Sequence, residues 1–126
     1  MRPKVLVIDN DPTFLELMQD LLLDYYDVAV AENVLIATDL LLSDYYDLLI
    51  LDQKLPVVSG LEFLRNLKAN EQFKNLPTLI ISGYPHPNGS GPSIPYTFMS
   101  KPISSEELLR EIERLLKSSD EELPVI

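Results

Sequence analysis

The chain has 126 residues, no cysteine and a formal net charge of −10, a length that suits a single hydrophobic core. The missing cysteine excludes disulfides, thiolate metal sites and cysteine nucleophiles. The charge argues against nucleic acid or an anionic membrane as a direct partner, since phosphate groups reward positive patches, and favours a cationic ligand or a basic surface.

Met1-Arg2-Pro3-Lys4 is followed by only four apolar residues, too few for a signal peptide or a membrane span, so a cytoplasmic location is expected. Those four, Val5 to Ile8, read as a first strand closed by Asp9-Asn10-Asp11. Asp11-Pro12 then reads as an N-cap with proline at the first helical position, and Phe14, Leu17, Met18, Leu21 and Leu22 keep helical spacing. A second strand is expected at Val28 to Ala31. Asn33 caps a second helix with Ile36, Ala37, Leu40 and Leu41 inward. Leu48 to Leu51 is a short, wholly apolar run, the signature of a central parallel strand buried on both faces, and it ends on Asp52. Pro56 and Gly60 turn the chain into a third helix marked by Leu61, Leu64 and Leu67. Thr78 to Ile81 is a fourth strand leaving at Ser82-Gly83, and Tyr96 to Met99 a fifth leaving at Ser100-Lys101-Pro102. Ser104 and Glu107 form a capping box for a last helix carrying Leu108, Ile112, Leu115 and Leu116.

Strand and helix alternate throughout, which predicts an α/β fold: one doubly wound, five-stranded parallel sheet with right-handed crossovers. LLLDYYDVAV at Leu21 to Val30 and LLSDYYDLLI at Leu41 to Ile50 echo each other 20 residues apart, each spelling helix end, turn and strand start. The expected domain covers residues 1–118, with an acidic tail at 119–126. No second domain is legible, which fits either a stand-alone protein or a part of a longer chain. The fourth crossover breaks the pattern: Gly83 to Pro95 holds four prolines and three glycines in 13 residues, so a Pro/Gly-rich loop is expected where a helix would normally run. His86, the only histidine, falls there and reads as a solvated loop residue.

In a parallel sheet the residues leaving the carboxyl ends of the strands collect on one edge, where open α/β sheets bind ligands. Here these are Asp9-Asn10, Asp52, Ser82 and Lys101. Carboxylate and amide oxygens suit a hard divalent cation such as Mg2+. A lysine ammonium and a serine hydroxyl suit the outer oxygens of a phosphoryl group in transfer. A carboxylate can be the nucleophile. Asp11 is best used as a cap and is not counted as a ligand.

These residues resemble the receiver domain of two-component response regulators over Lys4 to Lys117. Asp9-Asn10 is similar to the acidic pair of that family, Asp52 to its phosphoacceptor, Ser82 to its hydroxyl residue, and Lys101-Pro102 to its lysine and cis proline. Phe98 stands where the family has a switch aromatic, and Pro56 and Gly60 match its loop. The resemblance implies a flavodoxin-like strand order 2-1-3-4-5 and a signalling switch rather than an enzyme. It also implies phosphorylation of Asp52 by a sensor histidine kinase or histidine phosphotransfer protein, with an output partner left unidentified. It implies Mg2+ held by Asp9, Asn10, Asp52 and the backbone carbonyl of Lys54. Lys101 and Ser82 would bind the phosphoryl group, Ser82 and Phe98 would switch, and Lys54 and Tyr84 would flank the hydrolytic water and tune the lifetime of the phosphorylated state.

Two departures qualify the match. Asn10 stands where most receivers carry a second acid, so metal affinity is expected to fall by roughly tenfold to a hundredfold, about 1.4 to 3 kcal/mol. The 83–95 stretch replaces the family's fourth helix, so no output surface is carried over. Two other readings stay open: a pseudo-receiver that binds without phosphorylation, and a haloacid dehalogenase-like phosphatase, since Asp9-Asn10-Asp11-Pro12-Thr13 also fits the pattern DxDxT with Asp9 as nucleophile.

Overall fold

A computed structural model describes residues 2–83 and 94–121, with side chains through residue 117. The chain runs β1 (Lys4–Ile8), α1 (Pro12–Leu22), β2 (Asp27–Ala31), α2 (Val34–Ser43), β3 (Leu48–Asp52), α3 (Gly60–Lys68), a 3-10 turn (Glu71–Phe73), β4 (Thr78–Ser82), β5 (Thr97–Ser100) and α4 (Ser105–Glu121). The five strands are all parallel and ordered β2-β1-β3-β4-β5, the flavodoxin-like order. The expected replacement of a fourth crossover helix by a loop falls on residues 84–93, outside the described residues.

Alternation along the central strands divides the core in two. Leu6, Ile8, Leu49, Leu51 and Ile80 face Ala37 and Leu41 of α2 and Phe63 and Leu64 of α3. Val5, Val7, Leu48, Ile50, Leu79 and Ile81 face Leu15, Met18 and Leu22 of α1 and Leu108 and Ile112 of α4. The sheet is therefore covered on both sides, which is why β3 and β4 are buried at every position.

The caps form as the sequence dictates. Asp11 accepts from the Thr13 N–H at 3.0 Å, Asn33 from the Ile36 N–H at 2.9 Å and Ser104 from the Glu107 N–H at 3.2 Å. The repeated DYYD turns feed β2 and β3, the two strands that flank β1. There the Asp27 N–H donates to the Pro3 carbonyl at 3.0 Å and the Asp47 N–H to the Lys4 carbonyl at 2.8 Å.

Leu17 keeps the helical spacing of α1 but is 61% exposed, because the buried stripe of α1 is Leu15, Met18 and Leu22. The inward placement of Ile36 does not hold. Ile36 is 43% exposed; α2 carries apolar residues around its whole circumference, with Leu35 and Leu42 also outside, so its periodicity does not select an inner face.

Val57 has φ 75° and is fully exposed, and the Val58 N–H donates to the Pro56 carbonyl at 2.8 Å. That hydrogen bond and that φ belong to the rarer, strained form of the γ-turn, in which a β-branched side chain is an outlier. Val57→Gly relieves the strain without losing burial and is expected to raise stability by about 1 kcal/mol. The check is a urea titration, whose midpoint should rise at unchanged slope.

Candidate functional site

Register brings four strand ends to one place. Ile8 pairs with Leu51, so Asp9 and Asp52 leave adjacent strands side by side. Asp52 pairs with Ile81 and Ser82 with Ser100, and the Lys101 N–H donates to the Ser82 carbonyl at 2.7 Å. The Lys101–Pro102 peptide is cis.

The side chains converge. Lys101 Nζ lies 2.9 Å from Asp9 Oδ2 and 3.6 Å from Asp52 Oδ1. Asp9, Asp52 and Ser82 are 1%, 7% and 1% exposed. Asp9 Oδ1 accepts the Asp11 N–H at 2.9 Å, so the turn that starts α1 also fixes the carboxylate. The Lys54 N–H donates to the Asp52 carboxylate, while the Lys54 side chain is exposed. Asn10 is exposed beside Asp9. Gly60 packs under the site: its N–H donates to the Gln53 carbonyl at 2.8 Å, and an added Cβ would lie 2.3 Å from the Asp52 carbonyl oxygen.

Two carboxylates here share one ammonium, which leaves one negative charge uncompensated in a buried setting. Burial first, and then the charge of Asp9, raise the Asp52 carboxyl above the ordinary 3.8; Lys101 and the Lys54 N–H oppose the rise. Between 3.8 and the higher folded value the native state holds more protons than the unfolded one, so this group makes stability fall as pH rises through that window. In metal-free protein, Asp52→Asn is therefore expected to be more stable than wild type near neutrality. That advantage should shrink in acid below the ordinary carboxylate range, as urea midpoints at the two pH values would show.

The donor set fits a hard cation. Two oxygen anions with an excess charge and an adjacent amide are groups Mg2+ takes while keeping several waters. No cluster of three or more His, Cys, Asp or Glu stands among the described residues.

Phe98 pairs with Ile80 in register and is half-buried against the core on the α2 and α3 side, in the strand that leads to Lys101. Tyr84 and His86 lie outside the described residues. One contact was not legible in the sequence: Lys101 Nζ sits over the Phe14 ring, 4.3 Å from its centroid. Phe14 reads as an ordinary inward residue of α1, and nothing in its spacing points to a lysine 87 positions away.

Residues 5–113 match the family described as the response regulator receiver domain. The chain belongs to that family. The receiver is 31% identical over 120 residues to "Probable transcriptional regulator ycf29" of Pyropia yezoensis, covering 92% of this chain and 54% of that protein. It is 30% identical over 121 residues to "Hybrid signal transduction histidine kinase D" of Dictyostelium discoideum, covering 91% of this chain and 8% of that one. The chain thus spans about half the length of the first relative and a small part of the second. Among solved structures, the chemotaxis response regulator CheY4 of Vibrio cholerae superposes with a TM-score of 0.83 at 25% identity, over 91% of this chain and 99% of that one. The family matched is a receiver and not a haloacid dehalogenase-like phosphatase, so the DxDxT reading is not carried further. No helix among the described residues is long and apolar enough to cross a membrane.

Proposed function

We propose that this receiver takes a phosphoryl group onto Asp52 from the phosphohistidine of a sensor kinase or histidine phosphotransfer protein, in the cytoplasm and without touching nucleic acid or membrane itself. The observation that carries the reading is Lys101 Nζ held between the buried carboxylates of Asp9 and Asp52 at the carboxyl edge of the sheet. An Asp52 oxygen attacks phosphorus, the phosphorus–nitrogen bond breaks, and the imidazole, already protonated at its other ring nitrogen, leaves as the neutral ring with the bonding electron pair. The product is an acyl phosphate on Asp52. Lys101 and the Ser82 hydroxyl bind the phosphoryl oxygens. Asp9, Asn10, Asp52 and the Lys54 carbonyl would hold Mg2+, which when bound neutralises charge between the carboxylates and the incoming group.

Drawing the Ser82 hydroxyl toward the phosphoryl group biases Phe98 and the segment before it, a local electrostatic change read out at the surface by an output partner. Lys54, next but one after the phosphoacceptor, tunes the lifetime of the acyl phosphate. Residues 1–118 make up the switch, with 119–126 as an acidic extension. The receiver acts on itself rather than as an enzyme on other molecules.

The test is intact mass after incubation with a small acyl phosphate and Mg2+, on wild type and on Asp52→Asn and Asp9→Asn. The reading requires one added phosphoryl group in wild type and none in Asp52→Asn. Wild type that takes up none would instead leave a pseudo-receiver, the reading that Asn10 favours.

A further inference from the structure

The site holds a group that its assigned chemistry does not use, the ring of Phe14. Its place is set by the chain itself. Asp11 caps α1, Pro12 occupies the first helical position, and Phe14 follows within that first turn, half-buried against the α1 and α4 core. The ring presents its face to Lys101 Nζ at 4.3 Å. An aromatic face attracts a cation through its quadrupole out to about 6 Å from the centroid, and an aliphatic side chain of similar size would pack as well without that attraction.

Lys101 needs such a partner. Its backbone is anchored to Ser82, but its ammonium rides on a flexible four-carbon stem, and its side chain is still 27% exposed. It makes one close contact with Asp9 at 2.9 Å and a longer one with Asp52 at 3.6 Å. Asn10 contributes no charge on the neighbouring turn, so the pull that keeps the ammonium in the pocket is one carboxylate weaker than an acid there would make it.

We infer that Phe14 is a positioning residue for Lys101, its ring face holding the ammonium over Asp9 and Asp52 so that it is already in place when a phosphoryl group arrives. The inference rests on the proposed phosphoacceptor function of Asp52. The ammonium so held also shares the carboxylate oxygens that a divalent cation would use. Removing the ring therefore has effects in two directions. Lys101 spends less time where it can bind phosphoryl oxygens, while the carboxylates become no less available to Mg2+. General loosening of the fold would weaken both.

The experiment compares wild type, Phe14→Leu and Phe14→Tyr. In metal-free protein, the ε-methylene protons of Lys101, identified by their loss in Lys101→Met, should lie upfield from the ring current. The shift should vanish in Phe14→Leu and persist in Phe14→Tyr. At saturating Mg2+ the rate of Asp52 phosphorylation by a small acyl phosphate should fall about two- to five-fold in Phe14→Leu. It should be restored in Phe14→Tyr, and the Mg2+ concentration for half-maximal rate should not rise. An upfield shift that survives in Phe14→Leu, a rate equal to wild type, or a rise in half-saturating Mg2+ would overturn the inference. The two claims fail separately. A ring-current shift in a wild type that takes up no phosphate defeats the phosphoacceptor reading alone, and phosphorylation with no shift in wild type defeats the role of Phe14 alone.

Discussion

Gly60→Ala is expected to destabilise the receiver by about 3 kcal/mol or more, at the upper end of what overpacking costs. The added Cβ would sit 2.3 Å from the Asp52 carbonyl oxygen, 2.9 Å from Gln53 Cα and 3.0 Å from the Asp52 carbonyl carbon. All three are backbone atoms at the end of a strand buried on both faces, so no flexible side chain can swing aside. Alanine's advantage in helix propensity, about 1 kcal/mol at most, is too small to offset the overlap. The position couples stability to function, since the atoms that must move carry Asp52 itself. Urea denaturation measures the first effect. Even in the fraction that stays folded, a slower phosphorylation rate would report displacement of the carboxylate.

Lys101→Met carries the second large effect. The ammonium is the only positive group among the described ion pairs that reaches Asp9 and Asp52. Its loss leaves two carboxylates facing each other in a buried site. Breaking a fully buried pair costs about 3 to 5 kcal/mol; because the Lys101 side chain is 27% exposed, solvent screening brings the expected loss to about 1 to 3 kcal/mol in metal-free protein. Added Mg2+ should recover part of it by binding the native state. Phosphorylation by a small acyl phosphate should slow by about a hundredfold or more, the usual cost of removing one donor to developing charge. An unchanged rate would remove Lys101 from the phosphoryl site.

Much of the architecture could be read from the chain because the signals were local and redundant. Leu48 to Asp52 is too short and too uniformly apolar for a helix, and it is buried at every position. Asp11-Pro12, Asn33 and Ser104 each put a capping oxygen where a helix begins. Where redundancy failed, so did the reading: α2 is apolar on all sides, and its inner face is chosen by packing against the sheet rather than by pattern.

The site was legible for a topological reason. Once five strands are parallel, their carboxyl ends must gather: Lys101 meets Asp9 and Asp52, and Ser82 stands at the end of the neighbouring strand. Contacts between side chains on different elements carry no such rule. The approach of Phe14 to Lys101 depends on the angle at which α1 leaves its cap and on one rotamer of lysine, and neither is written in residue spacing. Val57 at positive φ is similar: the strain appears only once the backbone is in place.

In the proposed function, four side chains distant in the chain make one pocket for an anionic phosphoryl unit and its cation. Amide NMR shifts on adding Mg2+ and beryllofluoride, which stands in for the phosphoryl group on a carboxylate, read that pocket directly. The largest changes should fall at residues 9–10, 52–54, 82–83 and 101, and should be lost in Asp52→Asn. Changes that spare Asp52 and Lys101, or that persist in Asp52→Asn, would contradict it.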